Sequence, residues 1–408
     1  MRILIVTPNA SFRSGGEAVL PLKYFTFLRA RGHDVRLIAH SRNRSELAAA
    51  LPDAEPYIHY VEDTALHVAV WRMGIRFPSG IRDHLFGNIL LLVNEWHQRR
   101  LIRLLVAKQL VDLIHQPIPV SPTAPSMVYG MGVPVVIGPM NGGMSFPPGY
   151  EDYEGPGTRT FIRLARALSG IASRLVPGKR QAAVLLVANA RTRSVLPVAH
   201  SRVIELVENG VDFSTWTAPA QVAKRPGFRL VFLGRLVALK ALDITLDALA
   251  LARTERSDLD ITLDILGDGP ERSRLEALDQ PGVAFHGFRP QTECAEILAS
   301  SHALILNSLR ECGGAVVLEA MAMGLPVIAS DWGGPSDYLT SQCGVLVHPT
   351  PRDTFAQRLA RAILDLAQDP ERAAAMGRNG AARVRSGFDW QSKVNRMEDI
   401  FTTVIEDS

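Results

Sequence analysis

Residues 307–334 read NSLRECGGAVVLEAMAMGLPVIASDWGG. The stretch opens at the end of an apolar run and breaks at Gly313 and Gly314. It then enters a helical pattern of Val317, Leu318, Ala320, Met321 and Ala322, and leaves it at Gly324 and Pro326 before a second apolar run. Strand, glycine turn, helix, strand is the repeating unit of a parallel sheet with crossover helices.

The same alternation extends outward. Short β-branched runs fall at 230–233, 262–266, 284–286, 303–306, 327–329 and 344–347, and in the first half at 3–7, 35–39, 113–115, 133–137, 184–187 and 203–206. Helical stretches separate them, as in sheets covered on both faces. The expected fold class is α/β, with doubly wound parallel sheets. A chain of 408 residues exceeds the length at which one core usually stops growing, so two domains are expected. TAPAQVAKRPGF at 217–228 interrupts the periodicity and sets domains at 1–215 and 216–385. The remaining 386–408 reads as a helix, with Trp390, Val394, Met397, Ile400, Phe401 and Val404 at threes and fours, packing on one domain or bridging both.

Composition narrows the class. Hydrophobic residues are 47% and charged residues 21%, which excludes a disordered or fibrous chain. MRILIVTPNA reaches Pro8 and Asn9 too soon for a secretory leader and reads as a buried first strand. No run approaches the roughly 18 apolar residues needed to span a bilayer; the candidate ILLLV at 89–93 is flanked by Asn88 and Asn94. Cys294, Cys312 and Cys343 are odd in number and lack CxxC spacing, which argues against a disulfide framework or a zinc site and for the cytoplasm. The net charge of +3 hides a split: residues 1–190 hold 21 Lys and Arg against 13 Asp and Glu, the rest 23 against 28. A basic first half suits an anionic partner. Within it, 158–176 places Arg159, Arg163, Arg166 and Arg174 opposite Phe161, Leu164 and Leu168, a pattern that fits either a core helix or peripheral contact with an anionic membrane. No recognition helix with interleaved aromatics is evident, so nucleic acid is not an expected partner.

The chemistry is sought in the loops after the strands. The turn at Gly313, Gly314 and Ala315 opens a helix, so unpaired N–H groups and the positive end of the helix dipole face outward and suit a phosphate. Glu311 precedes this turn and Glu319 follows eight positions later, placed to accept hydrogen bonds from sugar and ribose hydroxyls. Upstream, LVFLGRLVALKALD turns at Gly234 and presents Arg235 and Lys240, a pair able to clamp a diphosphate and stabilise it as a leaving group. Gly267 in GDGP and Gly287 in HGF follow two further strands and line the same edge. In the first half Gly15 and Gly16 follow the first strand, without a GxGxxG fingerprint. His115 ends another strand, and Asn141 and Gly142 lie in GPMNGGMSFPPGY on the side expected to take an acceptor.

Taken together and in order, the Gly15-Gly16 loop, GHDV at 32–35, ENGVD at 208–212, GRLxxxK at 234–240, GDGP at 267–270 and the pair Glu311 and Glu319 resemble the retaining glycosyltransferases of family 4 (glycosyl transferases group 1) over nearly the whole chain. The resemblance implies the GT-B fold of two facing Rossmann-like domains, with the donor in the C-terminal one. It places the diphosphate ligands at Arg235 and Lys240, the sugar-contacting glutamate at Glu311, the ribose-binding glutamate at Glu319 and the acceptor-side histidine at His115. It implies transfer from a nucleoside diphosphate-sugar with retained configuration, without a bound metal or resident cofactor, to a carbohydrate or lipid-linked acceptor, often in cell-surface polysaccharide or glycolipid synthesis. Three positions depart from the family pattern: Glu311-Cys312-Gly313-Gly314 stands for the usual E-G-F-G, Ala241 for a glycine, and Asp337 for a frequent glutamate. Rival readings are a nucleotide-sugar epimerase, a phosphorylase, or a non-catalytic partner protein that binds nucleotide-sugar.

Overall fold

The computed structural model describes residues 1–13, 16–77, 82–154, 175–217 and 227–408. The chain forms two compact units: the first comprises described residues of Met1–Gly143, Pro156–Glu208 and Trp390–Ser408, the second those of Met144–Gly155 and Asn209–Asp389. Residues 144–155 thus cluster with the second unit and the last helix with the first.

The first unit holds seven parallel strands, β1 (Arg2–Val6), β2 (Asp34–His40), β3 (Ile58–Val61), β4 (Leu113–Gln116), β5 (Val135–Met140), β6 (Val184–Val187) and β7 (Val203–Glu205), in the order β3-β2-β1-β4-β5-β6-β7. Successive side chains of a strand point to opposite faces. Ile3 and Ile5 accordingly join Leu22 and Phe25 of the Leu20–Ala30 helix, while Leu4 and Val6 join Ile102 and Leu105 of the Gly87–Ala107 helix. The terminal Trp390–Glu406 helix buries Trp390, Val394, Met397, Ile400, Phe401 and Val404 in the first of these cores. Each such side chain contributes roughly 1.5–3 kcal/mol of burial, so this helix is an integral layer of the first unit.

Strand β3 is not among the expected runs. IHYV is four residues long, carries two polar or amphipathic side chains and buries only Ile58 and Val61. It is an edge strand, paired to β2 alone.

The second unit holds β8 (Phe228–Leu233), β9 (Ile261–Leu266), β10 (Val283–Gly287), β11 (Ala303–Leu306), β12 (Val327–Ser330) and β13 (Gly344–Val347), all parallel, in the order β10-β9-β8-β11-β12-β13. The strand order reverses between β1 and β4 in one sheet and between β8 and β11 in the other. In doubly wound sheets ligands bind outside the carboxyl ends of the strands at such a reversal.

Candidate functional site

At the reversal in the second unit, the loops after the strands are tied to one another in strand order by backbone hydrogen bonds. Gly267 N–H donates to Gly287 O at 2.8 Å, Leu236 N–H to Asp268 O at 2.9 Å, Leu309 N–H to Leu239 O at 2.9 Å and Gly334 N–H to Glu311 O at 2.8 Å. Bonds of this kind hold polar groups in place before a ligand arrives. The loops approach so closely that a Cβ on Gly267 would lie 1.9 Å from Gly234 O.

The chemistry-bearing side chains stand on this edge. Lys240 Nζ and Glu311 Oε2 form an ion pair joining the loop after β8 to the loop after β11. Ser308 Oγ donates to the same oxygen at 3.4 Å. Arg235 is exposed and makes no ion pair with any described residue. Gly314, at φ +82°, begins the Ala315–Ala322 helix; no side chain caps this helix and no acidic residue occupies its first turn. A cation without a partner, a cation paired only to a carboxylate and an uncapped helix start together make an anion-binding edge.

Glu319 is half-buried in that helix. Burial foremost, and then the Glu319 carboxylate, push the Cys294 thiol up to about 11, which places Glu319 beside the Gln291–Ala299 helix that follows β10. Asn307 follows β11 directly and supports the site from beneath. Fully buried, it donates from Nδ2 to Ala241 O at 2.9 Å and accepts from Thr245 Oγ1 at 2.5 Å, which fixes the turn carrying Lys240. Its signal was position, the first residue after β11.

The first unit places three of the expected residues in its interior. His115 has 0% of its surface exposed and packs edge-on to Tyr24 at 4.7 Å and Phe401 at 5.3 Å. A carbonyl only accepts, so Nε2 carries the proton it donates to Gly138 O at 2.8 Å. Burial holds the imidazole down at about 4, so in this structure it is a neutral, buried group. Asn141 is 4% exposed and donates to Glu208 Oε1 at 2.6 Å while accepting from Thr192 Oγ1 at 3.3 Å. The N–H of the buried Gly142 donates to Thr192 Oγ1 at 3.1 Å. Both are parts of an internal network that also takes in Lys393, whose ammonium donates to Glu208 O at 2.6 Å.

Gly16 opens a short 3-10 turn at φ +55°, and Gly15 lies outside the described residues, as does the basic helix pattern up to Arg174. In the same loop the N–H groups of Phe12 and Arg13 donate to Glu46 Oε1 at 2.7 and 3.1 Å. Among the described residues no group of His, Cys, Asp and Glu has the arrangement of a metal site.

Residues 227–369 match the family model described as Glycosyl transferases group 1. The glycogen synthase of Mycobacterium tuberculosis is 31% identical over 207 residues, covering 48% of this chain and 48% of that protein. The chain thus spans about half the length of the curated relatives it matches. Among solved structures, the sucrose-phosphate synthase of Thermosynechococcus elongatus superposes with a TM-score of 0.69 at 19% identity, covering 100% and 99% of the two chains. Anabaena Alr3699/HepE, in complex with UDP and glucose, gives 0.66 at 17% identity over 99% and 100%. At these identities the structural likeness concerns the fold. The match to glycosyl transferases group 1 thus lies in the second unit, and the chain shares the GT-B fold of two Rossmann-like domains.

Proposed function

We propose that this protein is a glycosyltransferase that moves a sugar from a nucleoside diphosphate-sugar to an acceptor, a polysaccharide or glycolipid intermediate, with retention of anomeric configuration. The observation that carries this reading is the anion-binding edge at the β8/β11 reversal: Arg235, without an ion pair among the described residues, Lys240 paired to Glu311, and the uncapped helix start at Gly314. As the bond from the sugar to the diphosphate breaks, negative charge grows on the departing phosphate. Arg235, Lys240 and the helix N–H groups stabilise that charge more than the ground state, which lowers the barrier. Glu311, released from Lys240, holds sugar hydroxyls, and Glu319 holds the ribose. The UDP and glucose bound by the HepE structure support a nucleotide and a hexose as the ligands to try first.

Calorimetric titration with UDP, GDP, ADP and their sugar conjugates, repeated on Arg235→Ala and Glu319→Ala, tests the reading. One nucleotide binds the wild type, and each variant weakens it at least tenfold. Binding of none of them, or binding that ignores both substitutions, rejects the proposed site.

A further inference from the structure

The first unit has a surface built inside out. In the Gly87–Ala107 helix the buried residues near its start are Asn94, Glu95 and Gln98, while none of Ile89, Leu90, Leu91, Leu92 and Val93 is buried and Trp96 is 59% exposed. A soluble helix turns its apolar stripe inward. The neighbouring Ala65–Gly74 helix, ALHVAVWRMG, packs against it and buries only His67, Val70 and Gly74, leaving Leu66, Val68, Met73 and Trp71 exposed, the last by 56%. Of the fifteen large hydrophobic side chains exposed among the described residues, ten fall between Leu66 and Leu104. An apolar area this concentrated marks an interaction surface.

Two features say what covers it. Residues 65–108 carry seven Lys and Arg against only Asp83 and Glu95, and Glu95 is buried. Beside the two helices lies a cleft of about 650 Å³ whose lining includes His40, Arg42, His67, Trp71, Arg72 and Asn94. Its polar lining is rich in donors, with Asp63 as its one carboxylate. Thr64 N–H donates to His67 Nδ1 at 3.1 Å, so Nε2 carries the proton of neutral His67, and that buried nitrogen has no partner. Arg42 N–H likewise donates to His40 Nδ1 at 3.2 Å, leaving Nε2–H toward Asp63 at 3.3 Å. Asn94 is 4% exposed with neither amide atom hydrogen-bonded, and the exposed Arg72 has no ion pair among the described residues. Buried polar groups without partners are rare and mark a ligand or ordered water.

We propose that this cleft binds the phosphorylated headgroup of an anionic membrane lipid, whose chains lie along the exposed apolar face of the two helices. A donor-rich, cationic cleft bordered by tryptophan and leucine matches a ligand that is anionic at one end and aliphatic at the other. A symmetric contact with a second copy would instead set this cationic face against itself. No helix of the described residues is long and apolar enough to cross a membrane, so the contact is peripheral. The proposal goes beyond the donor site and stands without it.

Sedimentation with phosphatidylglycerol vesicles, phosphatidylcholine vesicles and no vesicles tests it, with Trp71→Glu and Arg72→Glu as variants. The full chain partitions onto the anionic vesicles, and each variant lowers the partition roughly fivefold or more while leaving circular dichroism and nucleotide binding unchanged. Free glycerol phosphate at millimolar concentration does not displace it. Quenching of wild-type tryptophan fluorescence by brominated phosphatidylglycerol reports the same contact if a variant fails to fold. Equal binding to both vesicle types, displacement by free glycerol phosphate, or absence of vesicle binding together with a dimer that Trp71→Glu dissociates, would each overturn the proposal.

Discussion

Lys240 and Glu311, separated by 71 residues, meet as an ion pair at the carboxyl edge of the second sheet. Each was assigned a different part of the donor, the diphosphate for Lys240 and the sugar for Glu311, and the pair makes those tasks interdependent. Under the proposed function, a bound diphosphate would draw Lys240 away and leave Glu311 free to accept from hydroxyls, so loading the donor would rearrange the pair. Truncating one partner leaves the other a partly buried charge with nothing opposite.

Coupling between the two residues follows. Lys240→Ala lowers kcat about a hundredfold, the order seen when one preorganised group facing developing charge is removed, because it removes a cation and also leaves Glu311 to repel the diphosphate. The double variant Lys240→Ala, Glu311→Gln loses less than the two single losses combined, by roughly 0.5–3 kcal/mol. A double-mutant cycle on kcat and nucleotide Kd measures this; strict additivity would show that the ion pair has no part in donor handling.

Ala241 explains one departure from the family pattern. It sits at φ +48°, ψ +44° just before the Leu242–Glu255 helix, a left-handed conformation that glycine adopts freely and alanine does not. Strain of about 1–2 kcal/mol is partly offset by the lower unfolded-state entropy of alanine, about 0.4–1 kcal/mol. Ala241→Gly is therefore expected to stabilise the second unit by up to about 1 kcal/mol, read as slower hydrogen exchange in that helix, with nucleotide Kd unchanged. Faster exchange would mean that Asn307, which donates to Ala241 O, already relieves the strain.

Two glycines at positive φ separate conformational strain from steric clash. Gly324, at φ +74°, has nothing within 4 Å of an added Cβ, whereas Gly267, at φ +135°, has Gly234 O at 1.9 Å. Gly324→Ala should cost about 1–2 kcal/mol of stability and leave nucleotide binding intact. Gly267→Ala must push apart the loops that carry Arg235 and Asp268, so nucleotide affinity should fall at least tenfold in addition to a loss of stability. Equal nucleotide Kd in the two variants would show that loop spacing at this edge is not tightly set.

Most of the sheet framework was legible because buried parallel strands appear as dense β-branched runs; all twelve expected runs are strands, and only the weakly patterned edge strand Ile58–Val61 escaped. The second-unit site was legible as separate pieces, since Arg235, Lys240, Glu311 and Gly314 each follow a strand. That Lys240 and Glu311 touch was not, because contact across 71 residues depends on sheet order. The enclosure of His115 depends on Tyr24 and on Phe401 near the other end of the chain, and nothing at the LIHQP strand end announces either. ILLLV at 89–93 read as a short run flanked by asparagines, and only packing reveals that Asn94 faces in while the leucines do not.

The core placement of His115 makes the first unit sensitive to acid in a way that a substrate-facing histidine would not. Its imidazole is held at about 4 in the folded protein by burial, against 6.5 for the free group. Between these values the unfolded chain binds a proton that the folded one refuses, so the unfolding free energy rises with pH across this window. Stability is therefore lost as pH falls from 6.5 toward 4, by roughly 3 kcal/mol in all, and the effect is absent above 6.5. His115→Gln keeps an N–H able to donate to Gly138 O but cannot take up the proton. Hydrogen-exchange protection of β4 and β5, compared at pH 7 and pH 4.5, reads the first unit alone and needs no two-state assumption. The wild type should lose more protection than the variant, even though the variant starts lower at pH 7 through imperfect packing against Tyr24 and Phe401. If both lose the same amount, His115 reaches solvent in the native state, and a role for it at the substrate becomes the better account.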